Sequence, residues 1–220
     1  ARQGTPLASG DVVVLSQKIL SKSEGRLLRL SEVTPSPMAT TFAAELGRDP
    51  RLIEVILRES KRVVRMDRGV LVTETRQGWV CANAGVDQSN VDADMVALLP
   101  EDPDRSARAF RDAVRTQTRA EVFVIVADTF GRPWREGLVN IAIGVAGFAP
   151  LKSYLGDHDP AGRPLQATIL AVADELAAAA EPVMGKLDRI PAAIVRGLPV
   201  APSEEGSKAL LRDPARDIFR

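Results

Sequence analysis

The 220-residue chain contains one cysteine, Cys81, and one histidine, His158. A lone cysteine forms no intramolecular disulfide, and such a chain fits a reducing compartment. One Cys and one His exclude zinc sites of the Cys/His kind. A Ser-His-Asp triad would have to use His158, which lies in a polar, turn-like stretch. No run of roughly 18 or more apolar residues occurs and no signal peptide is visible, so no membrane partner is expected and the cytoplasm is the expected location. An excess of charge of one sign is missing too. Lys+Arg and Asp+Glu number 29 each, which gives no general pull toward nucleic acid. Any metal site must be built from oxygen. What remains, 45% apolar and 26% charged, is an ordinary globular composition for one large domain or two small lobes.

The stretch that stands out is EVFVIVADTFGRPWREG, residues 121–137. Its apolar, largely β-branched start reads as a buried strand running into Asp128 and Thr129. Gly131 and Pro133 are expected to break that strand and force a turn carrying Arg132, Arg135 and Glu136. A carboxylate and a hydroxyl at a strand end offer hard oxygen ligands for Mg²⁺ or Mn²⁺, and arginines could hold the accompanying phosphates. The plainer reading, favoured by local pattern alone, is an Asp-led turn with solvated arginines.

The rest of the chain reads as α+β, with mixed sheets and packed helices. GDVVVLS (10–16) is a short buried strand, followed by Gln17, Lys18 and Lys22, lysines that could embrace phosphate but are more often solvated. Residues 37–59 give two helices, the second capped by Asp49 with Pro50 in its first turn. Residues 62–82 read as a hairpin or meander. CANAGVDQSNVDADMVALLPEDPD gathers Asn83, Asp87, Ser89, Asn90, Asp92 and Asp94, either a loop of Asx-turns or a second source of oxygen ligands. Residues 104–117 form an amphipathic helix leading back into the Glu121 strand, an order that would place two loops at one sheet edge. Gly144 and Gly147 lack the remaining features of a dinucleotide fingerprint. A long helix is expected from about Leu165, with Ile169, Val172, Ala173, Leu176 and Ala180 on one face, ending near Met184-Gly185. A last strand at PAAIVRGLPV and a weak helix from Ser203 complete the reading.

Seven blocks, taken in order, resemble one family, the glutamate ligases that extend the deazaflavin coenzyme F420. They are GDVVVLSQKILSKSEG, RDPRLIEVILRES, CANAGVDQSNV, ADTFGRPWREG, DPAGRPL, VADELAAAAEPVMGK and VRGL. The resemblance implies a single ligase domain over residues 1–220, with a two-lobed fold and an intertwined homodimer. It also implies a reaction, the addition of L-glutamate to the terminal carboxylate of F420-0 with GTP and divalent metal, Mg²⁺ or Mn²⁺, in a pair. A monovalent ion such as K⁺ is left open. By position in the matching motifs, Asp87 resembles a metal ligand and Asn90 a nucleotide contact. Asp128 looks like a first or shared metal ligand, and the Thr129 position belongs to the second metal. Gln17 and Lys22, with Lys18 beside them, fall where the family contacts GTP, as does the segment Met184, Gly185, Lys186 through Pro191. Roles for Arg132 and Arg135 in holding phosphate or an acidic substrate tail rest on their chemistry alone.

Two departures from the family pattern stand out. Some relatives place a metal-ligating Gln where this chain has Lys186, and an ammonium cannot ligate Mg²⁺. Relatives also begin with a Leu-Pro-containing strand, whereas this sequence starts at ARQGTPLASG, so either that segment lies outside this sequence or the binding site is incomplete. The fused oxidoreductase-like domain of some relatives is not expected. Two alternatives stay open: a ligase of the same scaffold acting on another carboxylate, and a domain that binds nucleotide or coenzyme without turnover.

Overall fold

The computed structural model describes residues 4–217. In chain order the elements are β1 (Val12–Ser16), α1 (Gln17–Ser23), β2 (Leu27–Arg29), α2 (Pro37–Leu46), α3 (Pro50–Glu59) and β3 (Ser60–Asp67). They continue with β4 (Val70–Thr75), β5 (Val80–Ala82), β6 (Met95–Ala97), α4 (Pro103–Thr118) and β7 (Phe123–Arg132). The last are β8 (Arg135–Ala146), β9 (Lys152–Ser153), β10 (Ile169–Leu170), α5 (Val172–Met184) and β11 (Ala192–Val195). The α+β expectation holds.

Two compact units divide the chain. One contains the residues up to Ser16, Pro103–Thr129 and those from Val139 onward. Its sheet has the order β11-β1-β7-β8. β1 runs parallel to β7, with Val12 beside Phe123 and Ser16 beside Ala127, and antiparallel to β11. Val12, Val14, Ile125, Ala127 and Ala142 form one core with Ala173, Leu176, Ala177, Ala180 and Met184 of α5. The opposite-facing Val13, Leu15, Val124, Val126 and Ile143 are buried as well. Burial on both faces is why these strands are unbroken apolar runs rather than alternating ones. The sheet edge is tied by a fork: Arg196 Nε and Nη2 each donate to Asp11 at 2.7 Å.

The other unit contains Gln17–Asp102 and Phe130–Leu138. Here α2 and α3 pack with a three-stranded antiparallel meander, β3-β4-β5, as expected. Asp49 accepts from the Arg51 N–H at 2.8 Å and Pro50 opens α3, so the predicted cap is the observed one. Glu54 of α3 accepts from the Ser36 N–H at 2.9 Å, at the start of α2, and from Arg58 Nε at 2.8 Å. Ser36 first, with Arg58 adding, holds the Glu54 carboxyl at about 2 against the opposing effect of burial. A folded value below the ordinary 4.5 contributes stability that is complete above that value and is lost as pH falls through about 2. Glu54→Gln should therefore lower the unfolding free energy by about 1–3 kcal/mol near neutral pH. Urea unfolding repeated at about pH 2 should find that gap nearly closed; a pH-independent gap would assign the loss to packing instead.

Four expectations are corrected. β7 does not break at Gly131; it runs to Arg132, and Pro133-Trp134 forms the two-residue turn into β8. Trp134 takes φ 56, the left-handed turn conformation. Asp128 and Thr129 thus lie within a strand, not at its end. The helix expected from Leu165 begins at Val172, because Ile169 and Leu170 pair with Ser153 and Lys152 instead. Ile169 is 47% exposed and belongs to no helix face. The tail from Ser203 forms only short 3-10 turns at Ser207–Leu210 and Pro214–Arg216. Asp104 Oδ1 accepts from the N–H groups of both Val145 and Ser207, which commits that backbone elsewhere. Finally, β5 and β7 belong to different sheets, so the two loops share no sheet edge.

Candidate active site

In the unit containing α1, the loop after β5 is brought onto that helix. Lys18 Nζ donates to Asp87 Oδ2 at 2.6 Å, to Ser89 Oγ at 2.7 Å and to the Ser89 carbonyl at 2.9 Å. All three ammonium hydrogens are thereby used. Asp87 Oδ1 accepts from the Ser89 N–H at 2.6 Å, an Asx-turn, and Oδ2 accepts from Ser89 Oγ at 2.9 Å. Burial pushes the Asp87 carboxyl up, but the Lys18 ammonium and the Ser89 donors outweigh it and hold it below the usual range. One turn along α1, Lys22 Nζ donates to the Asn90 carbonyl at 2.7 Å. Gln17 is buried, its Oε1 accepting from Ser21 Oγ at 2.7 Å.

The backbone makes this placement possible. Asn83, Ala84 and Gly85 all have positive φ, a tight reversal that turns the chain back along β6, where Asp87 and Ala97 exchange both backbone hydrogen bonds. A Cβ at Gly85 would lie 2.7 Å from the Leu99 side chain, so glycine is required there by space as well as by φ 69. Arg48 Nη1 donates to Asn83 Oδ1 at 2.6 Å, and Asp94 accepts from Ser31 Oγ at the same distance. The polar cluster read from the sequence is thus dispersed: Asp87, Ser89 and Asn90 meet the two lysines, while Asn83 and Asp94 serve other contacts.

Removing the ammonium tests the pair. Lys18→Met should destabilise the fold by about 1–3 kcal/mol near neutral pH, since a half-buried carboxylate loses its cation. The depressed Asp87 pKa makes that contribution present above the ordinary carboxylate value and absent once Asp87 is protonated in the fold. Denaturant midpoints that fall equally at neutral and acid pH would contradict this assignment.

Asp128, Thr129, Met184, Gly185 and Lys186 belong to the other unit. Thr129 Oγ1 donates to Asn140 Oδ1 at 2.8 Å, and Asn140 Nδ2 donates to Glu181 Oε2 at 2.6 Å. Strand alternation sends Asp128 to the face opposite Thr129. Met184 is buried in the α5 core, Gly185 caps the helix, and Lys186 is exposed. At the other end of α5, Asp174 on its first turn accepts from the Ala142 N–H at 2.8 Å, and burial raises its carboxyl pKa. Arg132, on the β7–β8 hairpin, donates to the carbonyls of Glu136 and Gly137, its own turn, and Arg135 is exposed. Cys81 is buried, as expected of a packing residue, and His158 is exposed.

Sequence reasoning missed Asn140 and Glu181. The signal was present for the first: Asn140 is the one polar side chain in LVNIAIGVAG, residues 138–147, and a polar residue buried in an apolar strand needs partners. Glu181 carried none, because a carboxylate near a helix end is unremarkable.

Comparison with known proteins bears on what these residues serve. The sequence model of the family "F420-0:Gamma-glutamyl ligase" matches residues 1–197. Coenzyme F420:L-glutamate ligase of Methanopyrus kandleri is 49% identical over 223 residues, covering 99% of this chain and 88% of the relative. The ligase of the same name from Methanothermobacter thermautotrophicus is 47% identical over 220 residues, covering 99% and 87%. That of Methanocaldococcus jannaschii is 40% identical over 216 residues, covering 98% and 86%. With a family match over most of its length and relatives this similar from end to end, the chain belongs to the F420-0:gamma-glutamyl ligase family.

Proposed function

We propose that this protein joins the amine of L-glutamate to the terminal carboxylate of F420-0, using GTP. The observation that carries the reading is the Lys18–Asp87–Ser89 cluster, in which residues 69 positions apart converge within a chain of the ligase family. A carboxylate resists attack by an amine because its charge and resonance are lost on the way to the tetrahedral state. Transfer of the GTP γ-phosphoryl group removes that obstacle. A bond forms between a carboxylate oxygen and phosphorus, the bond to the β-phosphate oxygen breaks, and GDP leaves. The glutamate nitrogen then attacks the acyl carbon, the carbon–oxygen bond to phosphate breaks, and the amine gives up a proton.

The residues present suit a divalent ion. Among the described residues no group of three or more His, Cys, Asp or Glu is gathered. Mg²⁺ does not need such a cage, since it keeps several waters and takes one or two carboxylates together with substrate phosphates. In one unit Asp128 would offer a carboxylate oxygen, and Thr129, on the other face of the strand, its hydroxyl, to Mg²⁺ or Mn²⁺; in the other unit Asp87 would offer a carboxylate oxygen. When bound, such ions neutralise phosphate charge. Lys18 keeps Asp87 ionised and fixed in orientation before any ligand arrives. Lys22 and Lys186 supply positive charge for phosphate, as do Arg132 and Arg135 on the hairpin.

The test is a mass-spectrometric assay of the protein with F420-0, L-glutamate, Mg²⁺ or Mn²⁺, and either GTP or ATP. A glutamyl adduct with GTP alone is the expected result. An adduct with ATP would change the nucleotide, and nucleotide binding without any adduct would make the protein a binding domain.

A further inference from the structure

The hydrogen-bonded line Thr129–Asn140–Glu181 has a direction that its chemistry dictates. Glu181 presents a carboxylate oxygen, which accepts, so the atom of Asn140 facing it at 2.6 Å is the amide Nδ2. The other end of the same amide is then Oδ1, also an acceptor, and it faces Thr129 Oγ1 at 2.8 Å. Thr129 must therefore be the donor. Its one hydroxyl hydrogen is committed to Asn140, and both lone pairs are left directed elsewhere. Asn140 is only 5% exposed, so water has little access to compete for either end of the amide. Glu181 is anchored in turn by the last turn of α5, where the Gly185 N–H donates to the Glu181 carbonyl at 2.8 Å.

We propose that Asn140 and Glu181 are positioning residues that set the rotor of the Thr129 hydroxyl so that it presents lone pairs, not its proton, to a divalent cation. The inference rests on the reading of Thr129 as a metal ligand given above. A free threonine hydroxyl rotates and presents hydrogen or lone pair to suit its neighbour. A hydroxyl that ligates a cation must place its proton elsewhere, and the buried amide takes that proton in advance. The same chain accounts for a buried asparagine in an apolar strand, which packing alone would not select. Partners that orient a ligand in this way are worth roughly 10–100-fold in metal affinity in other proteins.

The experiment is Mn²⁺ binding to the full chain, followed by the electron paramagnetic resonance signal of free Mn²⁺, with thermal melts to verify folding. Asn140→Leu should weaken one class of Mn²⁺ site by about tenfold. Thr129→Val, which removes the hydroxyl with little change of shape, should weaken the same class. Combined, the two should cost no more than Thr129→Val alone, because the amide acts through the hydroxyl. Glu181 provides a second route should Asn140→Leu fold poorly: Glu181→Leu should weaken that class several-fold, and Glu181→Gln, which can still accept from Nδ2, should restore it. Losses that simply add in the double variant overturn the positioning role and leave Thr129 as a ligand. Mn²⁺ affinity unchanged in Thr129→Val overturns the ligand reading and the inference with it. Weakening by Glu181→Gln equal to that by Glu181→Leu overturns the relay through Asn140.

Discussion

Asp87→Asn and Asp128→Ala should each cut glutamyl-adduct formation by about 10²–10³-fold while the protein stays folded, because the charge stabilisation a metal site supplies is worth several kcal/mol and roughly 1.4 kcal/mol makes a decade. The choice of asparagine at position 87 separates two explanations. Asparagine forms an Asx-turn as well as aspartate does, so the Ser89 N–H keeps its acceptor. The acceptor for Lys18 becomes a neutral amide oxygen. If Asp87 served only the turn, Asp87→Asn would turn over normally. At Asp128 the substitution is local to a strand whose neighbours are fixed by parallel pairing up to Ala127, so the sheet should survive it. Adduct formation within threefold of the parent in both variants would remove the metal reading.

The largest stability effect is expected from a residue that touches no substrate. Gly144 lies in the middle of β8, and a Cβ there would meet the Pro103 carbonyl oxygen at 2.5 Å and its carbon at 2.6 Å. Both atoms are backbone at the start of α4, and no side-chain rotation relieves the overlap. Gly144→Ala should cost about 3 kcal/mol or more, the upper end for overpacking, and lower the melting temperature by about 6–12 °C. Gly131→Ala is the control. Its nearest neighbour would be a Leu138 methyl at 3.9 Å, ordinary contact, and the change should stay within about 0.5 kcal/mol. Equal melting temperatures for the two variants would show that α4 can draw back from the sheet at no cost.

Gly144 also illustrates what a sequence conceals. The glycine was legible as failing a dinucleotide fingerprint, but its reason is the approach of a helix from 41 positions away, visible only as the Asp104–Val145 hydrogen bond beside it. Local signals were reliable where local chemistry decides. Asp49 and Pro50 announced α3, and the apolar runs around residues 62–82 announced the meander. They failed where distant backbone decides. Ile169 and Leu170 looked helical until Ser153 and Lys152 claimed their hydrogen bonds. In the site, Asp87, Lys18, Lys22 and Asn90 were named from motif likeness, and the pairing of Lys18 with Asp87 was not, because periodicity says nothing about contacts across 69 residues. Asn140 was overlooked although it is the one polar side chain of residues 138–147, and nothing in the sequence identified Thr129 and Glu181 as its partners.

The central strand of the four-stranded sheet has a further consequence, in the time order of synthesis. β1 is made before both of its partners, Phe123–Ala127 on one side and Ala192–Val195 on the other. A growing chain therefore carries Val12-Val13-Val14-Leu15 without these two partners until synthesis has passed residue 123. Contacts of such long separation close slowly, and an unpaired apolar strand is a template for association. Residues 17–102, by contrast, hold nearly all of their own unit and can collapse while β1 waits. Pulse-labelled hydrogen exchange during refolding should find the amides of α3 and β4 protected before those of β1. Crowded or hot expression should harm this protein chiefly through β1.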